Sequence, residues 1–209
     1  MPVNEFALLQ LKSGYDEDKF LKALKSGQDD QAQWIREHQP HLLEGKPYTN
    51  PSNFYLQKSD PPYLVITAPW DSPEGHGEWI QSDVNKSAMG GLLEFIAEGP
   101  EGVVLFHMKA AGSEDEVRGD LFVQGSSNIW RISVDSDQKE KIQELYRSVE
   151  LQIGNTNPNQ RVWGGWKVEE GEKEELVVFS QNVKEDVLSP LVQVPNVQVR
   201  RLNEVQGLL

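Results

Sequence analysis

The order of strand-like and helix-like segments occurs twice in this chain, and that doubling limits the folds open to it. From residue 5 to 110 the pattern reads strand, helix, strand hairpin, helix, strand; a shorter version runs from about residue 128 to 205. Residues 6–11 are a continuous apolar run of central-strand type, with Gln10 inside it. Ser13-Gly14 ends it, and Asp16, Glu17 and Asp18 place negative charge where a helix start favours it. Phe20, Leu21, Leu24, Gln28, Gln31, Trp34, Ile35 and His38 then recur at helical spacing up to Pro40, with Gly27 as a point where a helix can break. Residues 54–58 and 63–70 read as a hairpin across Asp60-Pro61-Pro62. Asp71-Ser72-Pro73 opens a second helix, whose stripe is Trp79, Ile80, Val84, Ala88, Leu92, Phe95 and Ile96. Gly99-Pro100 closes it, and residues 103–109 are the last strand.

In the second copy, residues 128–134 read as a strand. Asp137 and Glu140 look like a capping pair for a helix with Ile142, Leu145, Tyr146, Val149 and Ile153 on one face and Gly154 as its C-cap. Residues 161–168 and 176–181 form a hairpin around Gly171. Residues 183–191 allow only a short helix because of Pro190, and 197–202 alternate as a final strand. The polar, Gly-bearing stretch 113–120 is the expected linker between domains at 4–112 and 121–206; residues 121–124 are an extra strand or part of the linker. The copies share element order and not residues, which a divergent fusion of two like units accounts for.

A chain of 209 residues is one large domain or two small ones. With 37% hydrophobic residues and six Trp it has the material for a core. The net charge of -13 is spread, with 9 basic against 16 acidic residues up to Ala110 and 11 against 17 after it. Such a surface is solvated and repels polyanions, so nucleic acid is not an expected partner. The absence of cysteine excludes disulfides, thiolate nucleophiles and Cys-based zinc sites, and fits a reducing compartment. The opening Met-Pro-Val-Asn-Glu-Phe has no basic region followed by a long apolar run, and no stretch approaches the roughly 18 apolar residues of a membrane span. The expected location is the cytoplasm, with no membrane partner.

On this cadence, and on Tyr63-Leu64-Val65-Ile66-Thr67-Ala68-Pro69-Trp70 before a capped helix, the sequence resembles the dimeric α/β-barrel superfamily. It looks most like the tandem fungal proteins akin to antibiotic-biosynthesis monooxygenases, over about residues 4–110 and 127–206, without a signature motif. The resemblance implies an α+β chain of two ferredoxin-like halves in tandem, forming one pseudo-twofold barrel with a cleft between sheet and helices in each half. It implies no cofactor and a small-molecule substrate, and it is compatible with a homodimer. Its members include oxygenases, isomerases and polyketide cyclases, and some have no demonstrated chemistry. The halves differ in length, so one cleft is expected to persist and the other to be filled. The first half has the fuller second helix and His38, His41, His76 and His107, and is the expected home of the site.

Two histidines are the candidate catalytic residues. His107 lies among Val104, Leu105, Phe106 and Met108, on the strand face of Val103 and Leu105; it is a general acid or base, or a hydrogen-bonded core histidine. His76, between Gly75 and Gly77 at a helix start, is a neutral base or an exposed loop residue. His38 and His41 have no third ligand nearby and there is no H-E-x-x-H, so no metal site is expected. Trp163-Gly164-Gly165-Trp166 in a strand reads either as a ligand gap beside a Trp wall or as a bulge with two core tryptophans. Gly90-Gly91 in the second helix serves tight packing or ligand clearance. Tyr55 and Tyr63, with Tyr48 before them, and Trp79 complete the candidate substrate-binding set with Gly90, Trp163 and Trp166. No nucleotide-binding or serine-nucleophile motif occurs. The expected function is a cofactor-independent cyclase, dehydratase or isomerase on a small hydrophobic or aromatic, polyketide-like metabolite; the alternatives are a cofactor-free monooxygenase and a non-catalytic ligand-binding or stress-related barrel.

Overall fold

A computed structural model describes residues 1–45, 50–99, 102–112, 125–156 and 159–208. Tyr48, Pro100, the expected linker 113–120 and residues 121–124 lie outside the described residues. The chain is a mixed α+β protein with two compact units, the first holding residues 1–105 and the second running from Phe106 to Gly207. No helix among the described residues is long and apolar enough to cross a membrane.

In the first unit, β1 (Val3–Gln10) is buried along almost its whole length. It pairs antiparallel with β3 (Tyr63–Thr67) and, in the same register, with the two-residue β4 (Pro69–Trp70). Between those two strands the Glu5 N–H donates to the Ala68 carbonyl at 2.7 Å. β2 (Asn53–Gln57) adds to the far side of β3, and the Gln10 N–H donates to the Gly102 carbonyl just before β5 (Val103–Ala110). Alternation sends Ala7, Leu9, Phe54, Leu56, Leu64 and Ile66 to the face covered by helices, where they form one core with Phe20, Leu24, Leu92 and Phe95.

The helix α1 (Glu17–His38) passes through Gly27 unbroken and is capped by the Asp16 carboxylate, which accepts the Lys19 N–H at 3.1 Å. The expected single second helix is instead two, α2 (Pro73–Gln81) and α3 (Asp83–Leu92), followed by a 3₁₀ turn at Leu93–Phe95. The cause is Ser82, whose backbone is extended. Its hydroxyl donates to the Trp79 carbonyl at 2.7 Å and accepts the Asn85 N–H at 3.1 Å, closing one helix and opening the next. Ser82→Ala is expected to cost about 1 kcal/mol, as loss of a cap does, and a thermal melt checks this as a drop of about 2–4 °C.

In the second unit β6 (Ser126–Val134) lies between β8 (Glu174–Gln181) and β9 (Gln198–Leu208), and β7 (Arg161–Lys167) pairs with the outer side of β8. The end of β5 pairs with β7 at Met108–Lys167. The helices α4 (Lys139–Thr156) and α5 (Glu185–Val192) bury Ile142, Tyr146, Val149, Leu188 and Leu191 against Trp130, Ile132 and Val178. α4 starts from a 3₁₀ turn at Ser136–Gln138 and runs on through Gly154, so neither Asp137-Glu140 nor Gly154 bounds it in the expected way. β9 is longer than expected because a bulge interrupts its pairing near Asn128. There Glu204 adopts φ 53° and gives its N–H to Asn128 Oδ1 at 2.9 Å.

Candidate active site

The first unit encloses a cavity of about 190 Å³ between its sheet and α1, α2 and α3. Ala7, Leu9, Phe54 and Ile66 form its sheet side, with Leu24, Met89 and Leu92 on the helix side. The room exists because α1 and α3 face each other with small residues: a Cβ on Gly27 would lie 3.7 Å from the Cβ of Ala88, and one on Gly91 would lie 3.9 Å from that of Ala23. Ile80, Val103 and Leu105 line the same cavity yet are well exposed, so they form an apolar mouth.

Four polar residues border this apolar space: Glu5, Gln31, His76 and Asn85. Glu5 and His76 are 5% and 2% exposed, and burial on that scale requires partners. Glu5 Oε2 lies 3.4 Å from His76 Nε2 and accepts the Trp70 indole N–H at 3.0 Å. The His76 ring stacks on Trp70 with centroids 4.4 Å apart and planes 15° off parallel. Trp34 packs against Trp70 and Trp79 at 5.9 and 5.8 Å. Local sequence explains the placement. Alternation along β1 puts Glu5 on the face of Ala7 and Leu9, and Ser72 with Pro73 starts α2 so that His76 falls in its first turn.

The helix start disfavours an imidazolium at His76, whereas the Glu5 carboxylate favours it. A full charge in direct contact outweighs the partial charge of a helix end, so a proton taken up by His76 is held by the pair. A buried carboxylate and imidazole beside an apolar cavity can take a proton from a bound molecule and return it elsewhere. The described residues contain no group of three or more His, Asp or Glu able to hold a metal ion.

Of the residues singled out by sequence, His76 and Trp79 line this cavity. The others lie elsewhere. His107 belongs to the second unit, where its Nδ1 sits 2.6 Å from Glu169 Oε1 and its backbone N–H donates to the same carboxylate at 2.9 Å. Tyr55 is fully buried on the sheet face opposite Phe54, and Tyr63 is half-buried on that same opposite face. Gly90 is exposed on α3. In β7 the ring of Trp163 lies over Gly165, and Trp166 gives its indole N–H to Gln143 at 2.5 Å. The strand pairs with β8 without interruption, so Gly164 and Gly165 mark crowding by Tyr146 and Trp163 and not a bulge. His38 stacks on Trp34, and His41 pairs with Asp71 at the surface. Tyr15, pushed up by burial, and Lys58, held up by its hydrogen bond to Glu17, border a shallow polar depression away from the apolar cavity.

Glu5 and Gln31 escaped the sequence reading. Glu5 stands just before the apolar run and looks like its edge, although an acid two residues from Ala7 on one strand face was a usable signal. Gln31 is one of several polar residues on the α1 stripe. In the second unit a small space of about 60 Å³ is lined by Trp130 of β6 and Leu188 of α5. There the Arg201 guanidinium lies 3.9 Å above Trp130.

No family model and no curated protein matches the sequence. Solved structures do resemble it. A candidate monooxygenase from Fusobacterium nucleatum subsp. nucleatum superposes with a TM-score of 0.63 at 12% identity, covering 100% of this chain and 93% of that one. An anthrone oxidase-like protein gives 0.59 at 9% identity, covering 100% and 92%. A candidate chlorite dismutase gives 0.52 at 11% identity, covering 98% and 95%. At such identities the likeness is one of fold, and it agrees with the α+β class.

Proposed function

We propose that this chain is a cofactor-independent enzyme acting on a small hydrophobic or aromatic, polyketide-like metabolite in the cavity of the first unit, by cyclisation, dehydration or isomerisation. The observation that carries the reading is the Glu5–His76 pair, buried and lining a mostly apolar cavity. His76 removes a proton from a carbon next to a substrate carbonyl, and Glu5 stabilises the imidazolium that results. The same proton returns to another carbon in an isomerisation, or to a departing hydroxyl, which leaves as water, in a dehydration. Trp34, Trp70 and Trp79 keep water from the pair, which strengthens the charge interaction between its members. Each unit is taken as one ferredoxin-like half. The reading is supported by the position of β6 between β8 and β9 and by the pairing of β1 with β3 and β4.

A second reading has its own support: structures sharing the fold include candidate monooxygenases. Deprotonation by the same pair would give a carbanion, and molecular oxygen would accept its electrons. Turnover of a panel of enolisable aryl ketones in air and under nitrogen separates the two. Equal rates in both are expected. Turnover only in air would make the protein an oxygenase, and none in either would make it a binding protein.

A further inference from the structure

Gln31 is a polar group in the cavity that the proton-transfer reading does not use. It lines the apolar space and is only 6% exposed. Its carbonyl end accepts the Ser52 hydroxyl. Ser52 is itself fixed, because its backbone carbonyl accepts the Gln28 amide at 3.1 Å and Gln28 in turn accepts the Asn50 amide at 3.3 Å. Among the described residues the Gln31 NH₂ group has no hydrogen-bond partner. A donor beside an apolar space gains a hydrogen bond when a bound molecule supplies the acceptor. With its Oε1 turned to the Ser52 hydroxyl, the amide nitrogen is the end of Gln31 left to offer a donor.

We infer that Gln31 selects the ligand by donating its amide N–H to a carbonyl oxygen, so that the cavity takes neutral, ring-sized apolar molecules bearing that oxygen in preference to hydrocarbons of the same shape. The inference rests on the reading of this cavity as the binding site. Neutrality follows from Glu5, whose carboxylate borders the same space and opposes an anionic acceptor. Size follows from volume, since a cavity of about 150 Å³ holds one benzene ring and this one measures about 190 Å³ with an apolar mouth beyond it.

Acetophenone and isopropylbenzene have the same number of non-hydrogen atoms, and only the first carries a carbonyl. Their affinities are measured by NMR from the Trp79 indole signals, for the wild-type protein and for Gln31→Met, which keeps the length of the side chain and removes the donor. The preference for the ketone over the hydrocarbon is expected to fall about tenfold in the variant, with the affinity for isopropylbenzene held within about twofold. Ser52→Ala, which leaves Gln31 in place but releases its carbonyl end, is expected to erode the preference by a smaller factor and serves if Gln31→Met does not fold. Binding of both compounds with the same preference in wild type and Gln31→Met would overturn the role of Gln31 and leave the cavity as the site. Binding of neither compound to the wild-type protein would overturn both.

Discussion

Glu5→Gln is expected to lower kcat by about 10²–10⁴-fold with the fold intact, the usual scale for loss of positioned acid/base chemistry. Gln matches Glu in shape, and its carbonyl oxygen can still accept the Trp70 indole N–H that now reaches Glu5 at 3.0 Å. What the substitution removes is the negative charge 3.4 Å from His76 Nε2. Without it, the imidazolium formed by proton abstraction stands buried and uncompensated. His76→Ala is expected to cost a similar factor, and the double variant little more than either single one, because the two residues act as a unit. Steady-state kinetics on any turned-over ketone checks this. A kcat within about threefold of wild type in Glu5→Gln would remove the pair from the mechanism.

Gly164→Ala is expected to destabilise the protein by about 1–3 kcal/mol, the usual range for overpacking a core. A Cβ at Gly164 would stand 2.7 Å from two ring carbons of Tyr146, which is fully buried. Relief by backbone movement is barred, since β7 is paired to β8 along its length and the Gly164 carbonyl accepts the Ala111 N–H at 2.8 Å. The thermal midpoint should fall by about 2–4 °C for each kcal/mol. A melt indistinguishable from wild type would reopen the glycine as clearance for a ligand.

Periodicity carried most of the elements, because one-face burial writes itself into spacing: the α1 stripe, the hairpin across Asp60-Pro61-Pro62 and the Ser72-Pro73 helix start all stand where the pattern put them. It failed where one side chain overrides a period. Ser82 divides a helix whose apolar stripe runs straight through it, and Asn128 absorbs a bulge that the alternation of β9 does not announce. For the site, a helix start and two flanking glycines marked His76, and an apolar stripe marked Trp79. His107 looked equivalent from its apolar neighbours, yet Glu169, 62 positions away in sequence, takes both its ring and its backbone N–H. Glu5 and His76 are 71 positions apart, and nothing local to either shows that they meet. Alternation gives the face of a residue and not its partner across the chain.

The most direct test follows the imidazole and indole NMR signals of the four histidines and Trp79 as acetophenone is added to the full-length protein. His76 and Trp79 are expected to shift together and saturably while His107 stays still. Movement of His107 with His76 unchanged would contradict this placement of the site.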